Sequence, residues 1–243
     1  MEPAQARPLL RAVEILAALP DGELDALMRE LDWLPVNPCQ EVLHHLARST
    51  QVYFIAQGAF RFQMTTAYGR QVAIRHLRAG GHFGEIAALT GAPRSVSVIA
   101  EETGLLACCP GPAFLALMRR NAGLAEAVAA SLARNVVLLT DRLFELAALE
   151  MRFRLYSELL RLARDGVCTE EGVQIRNAPT HDMLGAAIGA QREAVNRELQ
   201  VLSAEGILRR RRREIVITDI DRLRDMVKRR AGLTATQVVD WHF

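Results

Sequence analysis

Cysteine is scarce: the chain has four in 243 residues. Cys39, Cys108, Cys109 and Cys168 form no Cys-x-x-Cys pair and no zinc spacing, so packed free thiols are the expected state. The six histidines are scattered apart from His44-His45, and neighbours on a strand point to opposite faces. No metal is therefore expected. No apolar run approaches the ~18 residues needed to span a membrane. Glu2, Arg7, Arg11 and Glu14 interrupt any signal-peptide pattern over residues 1–16. No membrane partner and a cytoplasmic location are the expectations. Net charge is small as well, at +2, but it is unevenly placed. Residues 1–150 carry 13 basic and 15 acidic side chains, and residues 151–243 carry 17 and 13. The second half is thus the one suited to a polyanion.

With 50% hydrophobic and 24% charged residues the chain is globular, and its length suits two modest domains. Asp21 is placed to cap a helix bearing Leu24, Leu27, Met28 and Leu31. After Pro35 and Pro38 the pattern changes to short β-branched and aromatic runs: Val52 to Ile55, Phe60 to Phe62 and Val72 to Ile74. Gln57-Gly58 and Ala67-Tyr68-Gly69 punctuate them as turns. Two more strands are expected at Val96 to Ala100 and Gly104 to Cys109.

Between them lies the most informative run, His82-Phe83-Gly84-Glu85-Ile86-Ala87-Ala88-Leu89-Thr90-Gly91-Ala92-Pro93-Arg94-Ser95. Gly84 lets backbone approach a ligand. The amides of Glu85, Ile86 and Ala87 would open a helix and suit an anion. Arg94 adds a forked, charge-assisted contact to phosphate oxygens and Ser95 a hydroxyl. A carboxylate such as Glu85 fits an anion site only if it meets a donor, and a sugar hydroxyl is one. A hairpin loop with a structural Arg–Glu pair is the alternative. The ordered set Phe83, Gly84, Glu85, Ala87, Leu89, Pro93, Arg94, Ser95 resembles the phosphate-binding cassette of cyclic-nucleotide-binding domains, with Val96 where a small residue is usual. The resemblance is poorest around Val36 to Ala47, where the family's strands carry more glycine.

From Leu124 to Glu150 nothing breaks a helix. Ala129, Val136 and Leu143 recur every seven residues, as do Ala125, Leu132, Leu139 and Leu146, and the two series interleave as a coiled-coil seam. Helices are also expected at Arg152 to Arg164, His181 to Ile188 after the cap Thr180, and Arg192 to Ala204, ended by Gly206. On the last of these, Val195, Leu199 and Leu202 face a core. Arg192, Glu193, Asn196, Arg197 and Gln200 share the other face. Two strands, Ile207-Leu208 and Ile215 to Ile217, are expected with a turn from Arg209 to Glu214 between them. The tail from Arg222 onward reads as a helix and an extension.

Thr180, Gly185, Ala186, Ile188, Gly189, Arg192, Glu193, Val195 and Arg197, completed by Leu199, Leu202, Gly206, Ile207 and Leu208, resemble the winged helix-turn-helix of the CRP/FNR transcription-factor family. That resemblance covers most of the chain. It implies an α+β protein: an antiparallel β-roll sensor over residues 1–123, a dimerisation helix over 124–150 and a winged helix-turn-helix over 151–243. It implies a homodimer on double-stranded DNA with a pseudo-palindromic TGTGA-like site, allosteric control by a cyclic nucleotide, RNA polymerase as a partner, and no enzymatic activity. By this analogy Arg192, Glu193 and Arg197 read bases, with Asn196 beside them. Gln191 stands where Ser or Thr is usual, which bears on a phosphate contact. Arg210, Arg211 and Arg212, within the run Arg209 to Arg213, form a wing tip suited to phosphates or a minor groove. A solvated basic turn is the alternative.

The implied effector site is Phe83, Gly84, Glu85, Ile86, Ala87, Arg94 and Ser95, with Leu139 and Thr140 from the long helix. An adenine-contacting Thr, a partner-subunit Ser and an Arg of relatives that bind cyclic AMP align with Leu139, Thr140 and Asn135, so the Thr and the Arg are replaced. Arg75, ten residues before Glu85, is spaced like a guanine-contacting arginine in a cyclic-GMP-dependent protein kinase. This tilts the expectation slightly to cyclic GMP over cyclic AMP. A redox or haem sensor on the same scaffold would need ligands that the sequence lacks. A regulatory subunit of an enzyme is a further alternative, which the helix-turn-helix argues against.

Overall fold

The structure is a computed structural model that describes residues 3–65, 71–164, 166–176 and 178–231. The chain forms two compact units, Met1–Val137 and Leu138–Phe243.

In the first unit, helices α1 (Pro3–Arg11) and α2 (Asp21–Arg29) lead into the strands. Pro20, not Asp21, occupies the cap of α2, and Asp21 instead pairs with Arg7 and Arg11. The strands are β1 (Asp32–Val36), β2 (Glu41–Leu43), β3 (Val52–Gln57), β4 (Ala59–Thr65), β5 (Gln71–Arg78), β6 (His82–Phe83), β7 (Ser97–Ala100) and β8 (Gly104–Cys109), with α3 (Glu85–Thr90) between β6 and β7. They pair antiparallel in two four-stranded sheets, β1-β8-β3-β6 and β2-β7-β4-β5. The expected turn at Ala67-Tyr68-Gly69 lies outside the described residues. Strand β3 is buried on both faces along Val52 to Ala56, which explains its unbroken apolar run. One face meets an aromatic core with Phe60, Phe62, Phe83, Val98 and Leu106. The other meets Leu10, Leu24, Phe114, Leu124 and Val128 from α1, α2, α4 (Gly111–Arg120) and the start of α5 (Ala122–Ala148).

Helix α5 spans 27 residues, and its C-terminal part belongs to the second unit. By length and composition alone it is long and apolar enough to cross a membrane, which corrects the expectation that no run approaches that length. Arg134, Asp141, Arg142 and Glu145 lie along it, however, and Glu145 is buried in an ion pair with Arg161 at 2.8 Å. Val136, Leu139, Leu143 and Leu146 of the expected seam are all more than half exposed.

The second unit continues with α6 (Met151–Arg164), β9 (Val167–Thr169), β10 (Gly172–Ile175), α7 (His181–Ile188), α8 (Arg192–Ala204), β11 (Leu208–Arg211), β12 (Glu214–Ile217) and α9 (Ile220–Ala231). Its sheet order is β11-β12-β10-β9. The β9–β10 hairpin was not expected from the sequence. The core joins Leu155, Leu159, Leu184, Ile188, Val195, Leu199, Leu202, Ile207, Ile217 and Leu223. Beyond α9 the chain lies outside the described residues.

Candidate functional sites

The first site is a cleft of about 100 Å³ in the first unit. Its position follows from one strand pair. Tyr53 of β3 registers with Phe83 of β6, and their rings stack at 4.9 Å between centroids. Phe60 and Phe62 close on Phe83 from the neighbouring sheet. Phe83 is therefore an aromatic anchor that fixes where the next residue, Gly84, turns the chain into α3.

Gly84 has φ of +93° and caps α3. A Cβ there would sit 2.6 Å from the Gln51 carbonyl oxygen and 2.8 Å from Arg94 Nη1, so only glycine fits both the dihedral and the space. Arg94 reaches under this turn and is only 2% exposed. Its Nε donates to Ser49 Oγ at 2.9 Å, Nη1 to the Gly84 carbonyl at 3.0 Å and Nη2 to the Gln51 carbonyl at 2.7 Å. Three of the five guanidinium N–H donors are thus engaged, and a phosphate would take the rest. Burial pulls the Arg94 pKa down, with Tyr53 and Glu85 opposing.

Glu85 is 5% exposed, and its Oε2 has no hydrogen-bond partner among the described residues. Burial raises its pKa, against its own backbone amide and the charges of Arg75 and Arg94. A buried carboxylate oxygen without a donor costs stability. Arg75 is half-buried and Ser95 exposed, and both line the cleft with Gly84, Ile86 and Ala87.

Leu139 and Thr140 are exposed and belong to the other unit, so they are not among the lining residues. Asn135, one turn earlier on α5, is among the lining residues. His82 lines it too and was missed from the sequence. It is 7% exposed, and burial, with Arg75 and Arg134 nearby, pushes its pKa down to about 4. It is a neutral imidazole at ordinary pH.

The second site is the exposed surface of α7, α8 and the β11–β12 hairpin. Thr180 Oγ1 accepts from the Met183 amide at 3.2 Å, so its hydroxyl caps α7. Gly189 ends α7 with φ of +69°, the left-handed turn that starts the chain toward α8. Gln191 takes the cap position of α8 but makes no side-chain cap bond. Val195, Leu199 and Leu202 are fully buried, which leaves Gln191, Arg192, Glu193 and Arg197 exposed. Arg192 Nη1 lies 3.3 Å from Asp182 Oδ2.

Asn196 departs from its expected exposure, being half-buried under Arg210. The wing departs too. The expected turn from Arg209 to Glu214 shrinks to Arg212 and Arg213, with Arg212 at φ +38°. Arg210 and Arg211 lie within strand β11, not at the tip.

No group of three His, Cys, Asp or Glu side chains among the described residues could hold a metal. Burial pushes the Cys108 thiol up to about 11 and the Cys109 thiol up to about 12. Both are thiols rather than thiolates at neutral pH.

Residues 35–121 match the cyclic nucleotide-binding domain family, and residues 153–226 match the Crp-like helix-turn-helix domain family. The chain is 36% identical over 159 residues to a Cyclic AMP receptor protein of Thermus thermophilus, covering 65% of this chain and 70% of that one. It is 25% identical over 179 residues to the cAMP-activated global transcriptional regulator CRP of Escherichia coli, covering 72% and 84%. In fold it is similar to a mutant CooA from Carboxydothermus hydrogenoformans, with a TM-score of 0.76 and 17% identity over 89% of this chain and 95% of that one.

Proposed function

Because the chain belongs to the CRP/FNR family of DNA-binding transcription regulators, we propose that it is a homodimer whose cleft takes a cyclic mononucleotide and whose α8 face then engages a two-half-site operator. One observation carries the effector reading. Two opposite charges, Arg94 and Glu85, are buried side by side at a glycine turn, and Glu85 Oε2 lacks a donor. A phosphate answers the first, and a ribose hydroxyl answers the second. The cleft is smaller than a typical ligand pocket of about 300–1,000 Å³. The phosphate and sugar therefore sit within it and the base projects outward, with Asn135 and Arg75 among the lining residues that can meet it.

Two bases compete for that place. Two of the relatives named above are, by name, a Cyclic AMP receptor protein and a cAMP-activated regulator, which favours adenine. The replacement of an adenine-contacting Thr of such relatives by Leu139 weakens the case for adenine, and the presence of Arg75 in the cleft favours guanine, whose O6 and N7 accept an arginine fork while the N6 amino group of adenine repels it. We lean to cyclic GMP. Calorimetry of the full chain with cyclic AMP, cyclic GMP and cyclic di-GMP tests this. The expected result is binding of a cyclic mononucleotide, with cyclic GMP tighter and Arg75→Ala weakening cyclic GMP alone. Preference for cyclic AMP, or an Arg75→Ala variant with unchanged cyclic GMP affinity, defeats the guanine reading. Absence of binding by any of the three defeats the effector reading.

The apolar stripe Val136, Leu139, Leu143 and Leu146 is read as the dimer seam rather than a membrane span, since charged side chains interrupt α5. Thr180, Gln191, Arg192, Glu193, Asn196 and Arg197, with Arg210 to Arg212, are the proposed DNA contacts. RNA polymerase as a partner and a cytoplasmic location belong to the same proposed reading.

A further inference from the structure

Strand alternation puts Arg209 and Arg211 on one face of β11 and Arg210 on the other. The first two face Glu171 in the β9–β10 turn. Arg211 Nη2 lies 3.0 Å from its carboxylate and Arg209 Nη1 4.0 Å. Arg210 turns toward α7 and α8 instead. Its Nη1 donates to Asn196 Oδ1 at 3.4 Å and its Nη2 to His181 Nε2 at 2.8 Å. A wing strand, the first turn of one helix and the outer face of the next thus meet in a single guanidinium.

Each partner's chemistry constrains what the trio offers. Imidazole Nε2 accepts only when it carries no proton. Burial, then Arg210 and Arg192, lower the His181 pKa, against Asp182, which raises it, so the acceptor form prevails at neutral pH. Asn196 turns its carboxamide oxygen toward Arg210, which takes one of that oxygen's two lone pairs and leaves the Nδ2 donors on the other side of the carboxamide. A carboxamide with both halves available pairs with adenine through N6 and N7 together. One whose oxygen is turned to an arginine presents its Nδ2 donors instead, and guanine O6 and N7 form the acceptor-only edge in the major groove.

We propose that Arg210, anchored by His181, is a positioning residue for sequence reading: it holds the Asn196 carboxamide with its oxygen turned inward and its Nδ2 donors presented outward, an orientation that selects guanine. This deepens the DNA-contact reading above and rests on it. It also separates Arg210 from its neighbours Arg209 and Arg211, which remain suited to phosphates.

Full-length wild type, with whichever cyclic nucleotide it binds, is given a pool of randomised duplexes. The recovered site is then remade with each base at each position. The expected result is a position where wild type prefers guanine and Arg210→Ala prefers adenine, a swing of about 5- to 150-fold. Asn196→Ala should lose all preference at that position, and adding Arg210→Ala to it should change nothing further there. His181→Ala should move in the same direction as Arg210→Ala. His181→Gln, which restores an acceptor oxygen, should return the guanine preference. Arg211→Ala should weaken every duplex alike. If Arg210→Ala also weakens every duplex alike, or if Asn196→Ala and Arg210→Ala alter different positions, the proposal is overturned while the DNA-contact reading stands. If wild type recovers no preferred site, that reading falls and this inference with it.

Discussion

The cleft and the helix-turn-helix face both collect arginines against carboxylates, yet they hold them in opposite ways. In the cleft the charges are withdrawn from water: Arg94 is 2% and Glu85 5% exposed, and Arg94 is fixed by three protein acceptors. On the second surface the side chains of Arg192, Arg211, Asp182 and Glu171 are all between 46% and 66% exposed. The first arrangement has its desolvation cost built in before any ligand arrives and holds one geometry. The second can exchange its internal partner for a phosphate at little cost. A small effector needs a pre-formed site, whereas a long polyanion needs cations that can let go of their partners.

The comparison breaks most visibly at Arg94. Arg94→Ala should abolish measurable cyclic-nucleotide binding by calorimetry. It should also destabilise the first unit, because the Gly84 and Gln51 carbonyls lose a charged donor. Hydrogen bonds to charged groups are worth about 1.5–3 kcal/mol each, so a loss of roughly 3 kcal/mol or more is expected in a urea melt. Arg94→Lys should recover part of that stability but not the binding, since an ammonium lacks the planar fork. A lysine variant that binds as wild type does would show that charge alone suffices.

His82 sharpens the same contrast through pH. Its native pKa is down to about 4 from 6.5. Between those values the unfolded chain takes up the proton and the native chain does not. Stability is therefore whole above pH 6.5 and is lost as pH falls toward 4, levelling off at about 3 kcal/mol. Glu85, with its raised pKa, acts in the opposite sense, so the informative quantity is the difference between wild type and His82→Gln. Melts at pH 7, 5.5 and 4.5 should converge for the variant relative to wild type. Parallel curves would mean that the imidazole reaches water. No comparable acid loss is expected from His181, which is half-exposed on the other surface.

What the sequence revealed divides along the same line. The cleft was legible because its chemistry is local. Phe83, Gly84, Glu85, Arg94 and Ser95 fall within one short run, and the glycine and the buried pair need those residue types at that spacing. The core face of α8 was equally legible from Val195, Leu199 and Leu202. What escaped depends on contacts between distant segments or on weak local signals. The β9–β10 hairpin is short, and Gly172 within it mimics a loop. The arginines of β11 read as a turn, because charge and strand look incompatible until the strand is an edge one. Asp21 reads as a cap from residue type alone, whereas Pro20 holds that position in the fold. His181 is recognisable as the residue after a cap, but its bond to Arg210 exists only once the wing has folded back on α7.

The seam links the two regions. Leu132 packs partly against the first unit's core, so a charge there would damage folding as well as assembly. Leu139 and Leu143 are 52% and 67% exposed and give the cleaner test. Leu139→Glu with Leu143→Glu should leave the melting temperature of the monomer intact while sedimentation shifts to one subunit. Operator affinity should fall roughly 10²-fold as the two half-sites lose their linkage. A dimer that survives both changes would refute the seam.

The smallest expected effect lies at Glu171. Its pairing with Arg211 and Arg209 is exposed, and such pairs contribute about 0–1 kcal/mol to stability. Glu171→Gln should therefore leave the melting curve where it was. Its carboxylate nonetheless sits beside the wing cations proposed to face DNA, where a negative charge would oppose the phosphates. Removing it should raise affinity several-fold for every duplex alike, without altering base preference. The gain should shrink as salt rises from about 50 to 200 mM, because exposed charges are screened over about 10 Å at 0.1 M. If the substitution instead lowers the melting temperature by several degrees, the wing pairs are structural, and the distinction between fixed cleft charges and exchangeable surface charges no longer holds.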